Sequence, residues 1–213
     1  DREFGRILEA LKEQGLDENT IVVFTSDHGE TMASHLEDPK NSPYAESFNV
    51  PFLIRYPGKL KPHVNPVLLS TPDIMPTLLS LAGLKSHIPS SVQGNDLTRA
   101  LVKGRPVKGS PKGVLYIRNV DGEKDAEGKV RSYFPVARGV KTERYTLAIT
   151  LTRTHAIKEI LLFDDVTDPC QMHNITDKKL IRRLAGQMKP LLIKADDPWI
   201  KSGIYEKVMA QLN

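Results

Sequence analysis

The stretch at residues 20–30, TIVVFTSDHGE, decides the fold that we expect for this chain. Four apolar, strand-favouring residues at 21–24 lead through two hydroxyl residues into Asp27-His28-Gly29. An apolar run of this length, closed by a glycine turn, predicts a strand that is buried on both faces of a parallel sheet. Because ligand sites of open α/β sheets lie beyond the carboxyl ends of the strands, we expect Asp27 and His28 to lie at such a site.

The segment before this strand predicts half of a βαβ unit. Residues 1–14 favour an amphipathic helix, because apolar side chains recur at i, i+3, i+4 and i+7 from Phe4 to Leu11. A helix that leads by a short loop into a buried strand needs a parallel partner strand, which we expect upstream of Asp1. The chain begins at Asp1 without a methionine, and we therefore expect it to be a piece of a longer protein.

A long polar loop, a second strand and a helix are predicted next. Residues 31–47 have no sustained hydrophobic period, which favours a loop over the carboxyl edge of the sheet. Residues 50–56, VPFLIRY, predict a strand that a Pro-Gly turn ends. Residues 71–73, TPD, predict the start of a helix, with Thr71 as the N-cap and an acid in the first turn.

Beyond a stretch rich in proline, glycine and serine at 85–112, the chain predicts a small antiparallel sheet. Its short strands are expected at 114–118, 133–140, 145–151 and 159–164. A helix is predicted over 177–193, disturbed near Pro190, and a short helix ends the chain. The predicted domains are 1–108, part of an α/β core, and 109–213, an antiparallel sheet with helices.

Composition excludes several classes of protein. The 213 residues carry a net charge of +4, and the charges are scattered. A sulfated or phosphorylated substrate would suit that balance, but we interpret it as a solvated mixed surface and expect no nucleic-acid partner. No apolar run approaches the roughly 20 residues that a membrane-spanning helix needs. The chain has one cysteine, Cys170, which excludes an internal disulfide and which we interpret as a small packed side chain.

Four stretches, in order along the chain, resemble motifs of the sulfatase family of the alkaline-phosphatase superfamily. They are NTIVVFTSDHGE, SPYAESFNVPFLIRYPG, STPDIMPTLLSLAGL and LLFDDVTDPCQMHNIT. The resemblance covers nearly the whole chain and implies the C-terminal portion of a sulfatase. The implied fold is α/β: a partial alkaline-phosphatase-like mixed sheet with helices, followed by a small antiparallel sheet subdomain with C-terminal helices.

The resemblance implies that Asp27 and His28 are ligands of a divalent metal, usually calcium. A carboxylate oxygen suits calcium, whereas an imidazole nitrogen better suits zinc, iron or manganese. The metal's identity therefore stays open. Taken without the resemblance, the same pair favours a plainer interpretation, in which Asp27 caps the following turn and His28 faces solvent.

Two further residues acquire roles from the resemblance. Lys40 lies where the family usually has a lysine on the sulfate oxygens, although Asp-Pro-Lys-Asn stands here in place of the usual Gly-Lys. A fixed ammonium would stabilise charge that builds on those oxygens. His35 would donate a proton to the leaving oxygen. For each residue the alternative is a solvated loop side chain. Asp73 is expected to start a helix and not to act in catalysis.

Sulfatases use a formylglycine nucleophile made from Cys/Ser-x-Pro-x-Arg, and no such motif occurs in this chain. We therefore expect the nucleophile upstream and no activity from this chain alone. The intact enzyme would hydrolyse sulfate esters of a sulfated small molecule or glycan. One alternative is a phosphodiesterase or phosphonate hydrolase of the same superfamily, using zinc or manganese. Another is a non-catalytic scaffold module.

Overall fold

A computed structural model describes residues 1–36 and 40–213, and these residues divide into two compact units. The first unit comprises Asp1–Asp27 and Val50–Pro111, and the second comprises His28–Asn49 and Lys112–Asn213. The helices are α1 (Arg2–Glu13), α2 (Ala45–Phe48), α3 (Thr71–Leu81), α4 (Thr98–Lys103), α5 (Lys178–Lys194), α6 (Pro198–Lys201) and α7 (Ile204–Gln211). The strands are β1 (Val22–Thr25), β2 (Phe52–Arg55), β3 (Gly113–Asp121), β4 (Tyr133–Thr142), β5 (Tyr145–Leu151) and β6 (Ile157–Asp164).

In the first unit, β1 and β2 form an antiparallel pair in which Val23 lies opposite Ile54. The prediction that β1 is buried on both faces is wrong for this chain, because Phe24 keeps 43% of its surface exposed. Among the described residues, β2 is the only ladder partner of β1. Helix α1 buries little of β1. The Phe4 and Phe24 rings lie 5.2 Å apart, but α1 has no buried residue.

The N-terminus of α3 is held by a buried carboxylate. Asp73, 1% exposed, accepts hydrogen bonds from the backbone N–H and the hydroxyl of Ser70, at 2.9 and 3.0 Å. Its other oxygen accepts from the backbone and side-chain N–H groups of Asn95, at 2.6 and 2.9 Å. The N-cap is therefore Ser70 and not the predicted Thr71, because Asp73 reaches back three residues in a capping box. The structural role expected for Asp73 is confirmed.

The second unit contains the predicted antiparallel sheet, in the order β3-β4-β5-β6. Alternate residues of its strands, including Leu147 and Leu162, face a core that α5 and α7 cover. The helix α5 runs through Pro190 without a break. Trp199, from α6, is fully buried in the same core, and its indole N–H donates to the Pro135 carbonyl at 2.8 Å.

The opposite face of this sheet carries residues 28–36 and 40–49, which we call the site loop. Phe163 on β6 neighbours Leu162 and so points to the other side of the strand; its ring lies 5.6 Å from Tyr44. Tyr116 on β3 likewise lies 5.9 Å from Phe48. Two aromatic contacts thus attach the site loop to the strands at the two edges of the sheet.

A buried ion pair joins the sheet to α6. Arg138 on β4 and Asp197 are 1% and 3% exposed, and Arg138 Nε donates to Asp197 at 2.8 Å. Burial lowers the pKa of Arg138 while Asp197 opposes that shift, so the pair compensates a charge that the core would otherwise exclude. None of the helices in residues 1–36 and 40–213 is long and apolar enough to cross a membrane.

Candidate functional site

The Asp-His-Gly turn is fixed by a close backbone approach at Gly29. The Gly29 N–H donates to the Ser47 carbonyl at 2.8 Å. A Cβ at position 29 would lie 1.9 Å from the carbonyl oxygen of Glu46, which is far inside any allowed contact. Glycine is therefore required at position 29, because the backbone of α2 approaches this residue too closely for a side chain.

His28 is held by polar groups on both sides of its ring. Its Nδ1 lies 2.8 Å from the Gly29 carbonyl oxygen, and its Nε2 lies 2.9 Å from Lys40 Nζ. An ammonium can only donate and a carbonyl can only accept. The ring is therefore assigned as the neutral tautomer with its proton on Nδ1. Glu30 adds a carboxylate oxygen 3.6 Å from Nδ1.

Of the predicted residues, the structure thus brings His28 and Lys40 together within the second unit. Both belong to the site loop, and they are 12 positions apart in the chain. Lys40 is exposed, so its ammonium can reach a ligand by rotation of its side chain. The contact places the positive charge of Lys40 beside His28, which follows Asp27 in the chain.

His35 is oriented by two neighbours that the sequence did not identify as its partners. Its ring stacks on Tyr44 with centroids 3.8 Å apart and planes at 4°. Its Nε2 lies 3.3 Å from a carboxylate oxygen of Glu46. The His35 side chain is 9% exposed, whereas Glu46 is 42% exposed. A histidine held by a carboxylate at one ring nitrogen is oriented for proton transfer at the other.

Asp27 lies in the first unit and is exposed. Its Oδ1 accepts a hydrogen bond of 3.3 Å from the Ser26 hydroxyl. Its place directly before His28 is a fact of the sequence. The two residues therefore remain a predicted pair of ligands.

The donors present fit part of a metal site. A carboxylate at Asp27 suits a hard divalent cation. His28 offers a nitrogen, but Lys40 occupies the lone pair of Nε2, so binding through that atom requires Lys40 to move away. Within the described ranges, no group of three or more His, Cys, Asp or Glu side chains is placed to hold a metal ion. Asp27 and His28 each carry a donor atom that suits a metal ion, and their joint role stays a prediction.

Residues 165–173 after β6, which we call the late turn, also contact the site loop, at a residue that the sequence did not predict. The Gln171 side chain accepts a hydrogen bond of 2.7 Å from the backbone N–H of Ala45.

Nearby Asp168 accepts from the backbone N–H groups of Met172 and His173, and the first of these bonds is the main cause that lowers its pKa. Cys170 is exposed, so its predicted packed position is wrong. The late turn is thus held by the Asp168 carboxylate, through its bonds to backbone N–H groups, and not by packing of Cys170.

Comparison with known proteins identifies relatives across nearly the whole chain. Residues 1–84 match the sulfatase family model. An endo-4-O-sulfatase of Bacteroides thetaiotaomicron is 54% identical over 204 residues, which is 93% of this chain and 40% of that protein. An ulvan-active sulfatase of Formosa agariphila is 35% identical over 206 residues, 91% of this chain and 36% of that protein. The chain thus spans about two fifths of the length of these relatives.

A solved structure gives the same result for the fold. It comes from work on the metabolism of multiple glycosaminoglycans by Bacteroides thetaiotaomicron. It superposes with a TM-score of 0.93 at 52% identity and covers 97% of this chain and 43% of that one. The predicted fold class and the resemblance that suggested it are confirmed.

Proposed function

We propose that this chain, which belongs to the sulfatase family, forms part of an enzyme that hydrolyses sulfate esters of a sulfated glycan. The observation that carries the proposal is the site loop, in which one lysine and two histidines are held by specific partners (His28 by Lys40, and His35 by Tyr44 and Glu46). The relatives' names, an endo-4-O-sulfatase and an ulvan-active sulfatase, favour a polymeric sulfated glycan over a small sulfate ester.

Lys40 is proposed to bind the sulfate group. Its ammonium donates to His28, and three N–H donors allow it to turn toward a sulfate oxygen. A positive charge fixed there stabilises the negative charge that builds on the oxygens as the ester bond breaks. The same movement would free Nε2 of His28 for a metal ligand role.

His35 is proposed to protonate the leaving oxygen. The Glu46 carboxylate, 3.3 Å from Nε2, would accept a hydrogen bond from an N–H at that nitrogen, and the proton for the leaving group would come from Nδ1. Stacking on Tyr44 fixes the plane of the ring. Together these contacts hold the ring in one orientation before the reaction, so that no rotational entropy has to be lost in the transition state.

Asp27 and His28 are proposed as two ligands of a divalent metal, with calcium as the expected ion. Such a metal, when bound, acts as a Lewis acid on the sulfate oxygens. The nucleophile is proposed to be a formylglycine outside these 213 residues, because they contain no Cys/Ser-x-Pro-x-Arg motif.

The test measures sulfate released from sulfated polysaccharides by the full-length protein, using ion chromatography. Lys40→Ala and His35→Gln should each lower kcat by about 10²–10³-fold, the range for loss of one charge-stabilising or proton-donating group. Lys178→Ala is the matched control, since Lys178 is exposed on α5, and it should leave kcat unchanged. A full-length protein that releases phosphate or phosphonate but no sulfate would overturn the proposal.

Elemental analysis by mass spectrometry tests the metal separately. The purified full-length protein should contain calcium, and Asp27→Asn should lower that content while leaving the fold intact. Zinc or manganese in place of calcium would favour the phosphodiesterase or phosphonate hydrolase alternative, because His28 supplies the nitrogen donor that those ions prefer.

A further inference from the structure

Gln171 is a buried polar residue in an unusual backbone conformation. It is 2% exposed and has a φ of 53°, which lies in the left-handed region that residues other than glycine seldom adopt. Its backbone N–H closes the late turn by donating to the Asp168 carbonyl at 2.9 Å. The turn therefore directs this side chain inward, where its polar groups need partners.

Both ends of the Gln171 amide are paired, and the partners fix its orientation. Oε1 accepts from the backbone N–H of Ala45 at 2.7 Å, and Nε2 donates to Oδ1 of Asp165 at 2.6 Å. A backbone N–H can only donate and a carboxylate can only accept. The amide therefore fits in one orientation.

Asp165 gives this amide a rigid support on the sheet. Its second oxygen, Oδ2, accepts from Lys141 Nζ at 2.9 Å and from the Thr146 hydroxyl at 2.7 Å. Lys141 and Thr146 belong to β4 and β5, whose ladder pairs them directly. Gln171 is thus held by the sheet on one side and holds Ala45 on the other.

Ala45 is the first residue of α2, and the N-cap residue Tyr44 makes no side-chain capping bond. Gln171 supplies the acceptor that a capping side chain would otherwise provide. The two neighbours of Ala45 in the chain are Tyr44 and Glu46, and both contact His35. One hydrogen bond, between residues 126 positions apart, therefore anchors the residue that lies between these two groups.

We propose that Gln171 is a positioning residue for His35. It acts through Ala45 by holding Tyr44 and Glu46 in place, and its importance for turnover rests on the proposed role of His35 as proton donor. Loss of the amide releases the start of α2, after which the His35 ring turns away from the orientation in which it donates.

The experiment exchanges the chemistry of Gln171 and Asp165 in the full-length protein. Gln171→Glu alone keeps the acceptor for Ala45 but sets a carboxylate against Oδ1 of Asp165, at the 2.6 Å position of the present bond. Asp165→Asn with Gln171→Glu restores a donor between them and leaves an oxygen to accept from Lys141 and Thr146. The double variant therefore keeps every hydrogen bond of the network, whereas the single variant loses one while both carboxyl groups are ionised. Gln171→Met removes both hydrogen bonds and keeps a side chain of similar length.

Two readouts are needed. The first is the rate at which diethyl pyrocarbonate modifies His35, followed by mass spectrometry, with exposed His87 as the internal reference. The second is kcat and KM for sulfate release. In Gln171→Glu and Gln171→Met we expect several-fold faster modification of His35, and kcat lowered about 10–100-fold with KM little changed, as for a misplaced catalytic group. The double variant should recover both values.

Each outcome decides a different question. Unchanged modification of His35 in a folded single variant overturns the proposal, as does a double variant that recovers neither readout. Faster modification with unchanged kcat overturns the importance of this positioning for turnover. A wild-type full-length protein that releases no sulfate defeats the proposed function, while the modification rates still decide whether Gln171 positions His35.

Discussion

At Gly29 the absence of a single methyl group allows the site loop to form. The carbonyl of Glu46 lies where a Cβ would be, and Gly29 also donates to the Ser47 carbonyl. Gly29→Ala should therefore separate the turn from α2 and cost about 1–3 kcal/mol, the usual range for forced overpacking. Thermal unfolding of the full-length protein measures this loss, and kcat for sulfate release should fall with it.

Gly186→Ala is the control for that substitution. Gly186 lies within α5, and a Cβ there meets nothing within 4 Å. Replacement of an unconstrained helical glycine by alanine should raise the free energy of unfolding by about 0.5–1 kcal/mol. Equal melting temperatures for the two variants would contradict the close approach at Gly29.

At the scale of an element, α3 depends on one carboxylate. Asp73 accepts four hydrogen bonds from Ser70 and Asn95 and is 1% exposed. Asp73→Ala leaves those donors without their acceptor, which costs about 1–3 kcal/mol for a buried polar group. Urea unfolding measures the change. Glu9→Ala, at an exposed position of α1, should change the free energy of unfolding by less than about 0.5 kcal/mol; a similar loss in both variants would contradict the role of Asp73.

The end of β6 is tied to the β4–β5 turn by an ion pair that depends on pH. Arg144 donates to both carboxylate oxygens of Asp164, at 2.7–3.1 Å, and these bonds lower the pKa of Asp164. Because the folded pKa lies below the unfolded value of about 4, the stabilisation is present above that value. It is lost as the pH falls through the folded pKa.

The consequence is testable by thermal unfolding across pH. Asp164→Asn should lower the melting temperature at about pH 6, and the difference from the wild type should shrink as the pH falls below about 4. The melting temperature of the wild type should thus fall more steeply with decreasing pH than that of Asp164→Asn. A difference that stays constant down to low pH would show that the charge of Asp164 is not what stabilises this connection.

At the scale of the whole molecule, the chain carries only part of the catalytic machinery that we propose. It has no Cys/Ser-x-Pro-x-Arg motif, and in the part of the chain that the structure describes no three metal-binding side chains come together. We therefore expect residues 1–213, expressed alone, to release no sulfate from the polysaccharides that we propose as substrates of the full-length protein. Ion chromatography of parallel digests measures this, and sulfate release by the shorter chain would place the nucleophile within it.

Much of the secondary structure was predictable because its causes are local. The period of α1, the tight links of the later strands and the proline and acid at the start of α3 act over a few residues. The predicted burial of β1 failed because burial depends on what covers a strand. Phe24 is apolar, yet the described chain covers it only in part.

The sequence by itself determined the family, the order of helices and strands, and the adjacency of Asp27 and His28 in the DHG motif. Only the tertiary structure decided which groups orient the site loop. His35 stacks on Tyr44 and faces Glu46, and Gln171 reaches Ala45 across 126 positions. Local patterns act through neighbours three or four residues apart, whereas these contacts exist because the site loop and the late turn meet on one face of the same sheet.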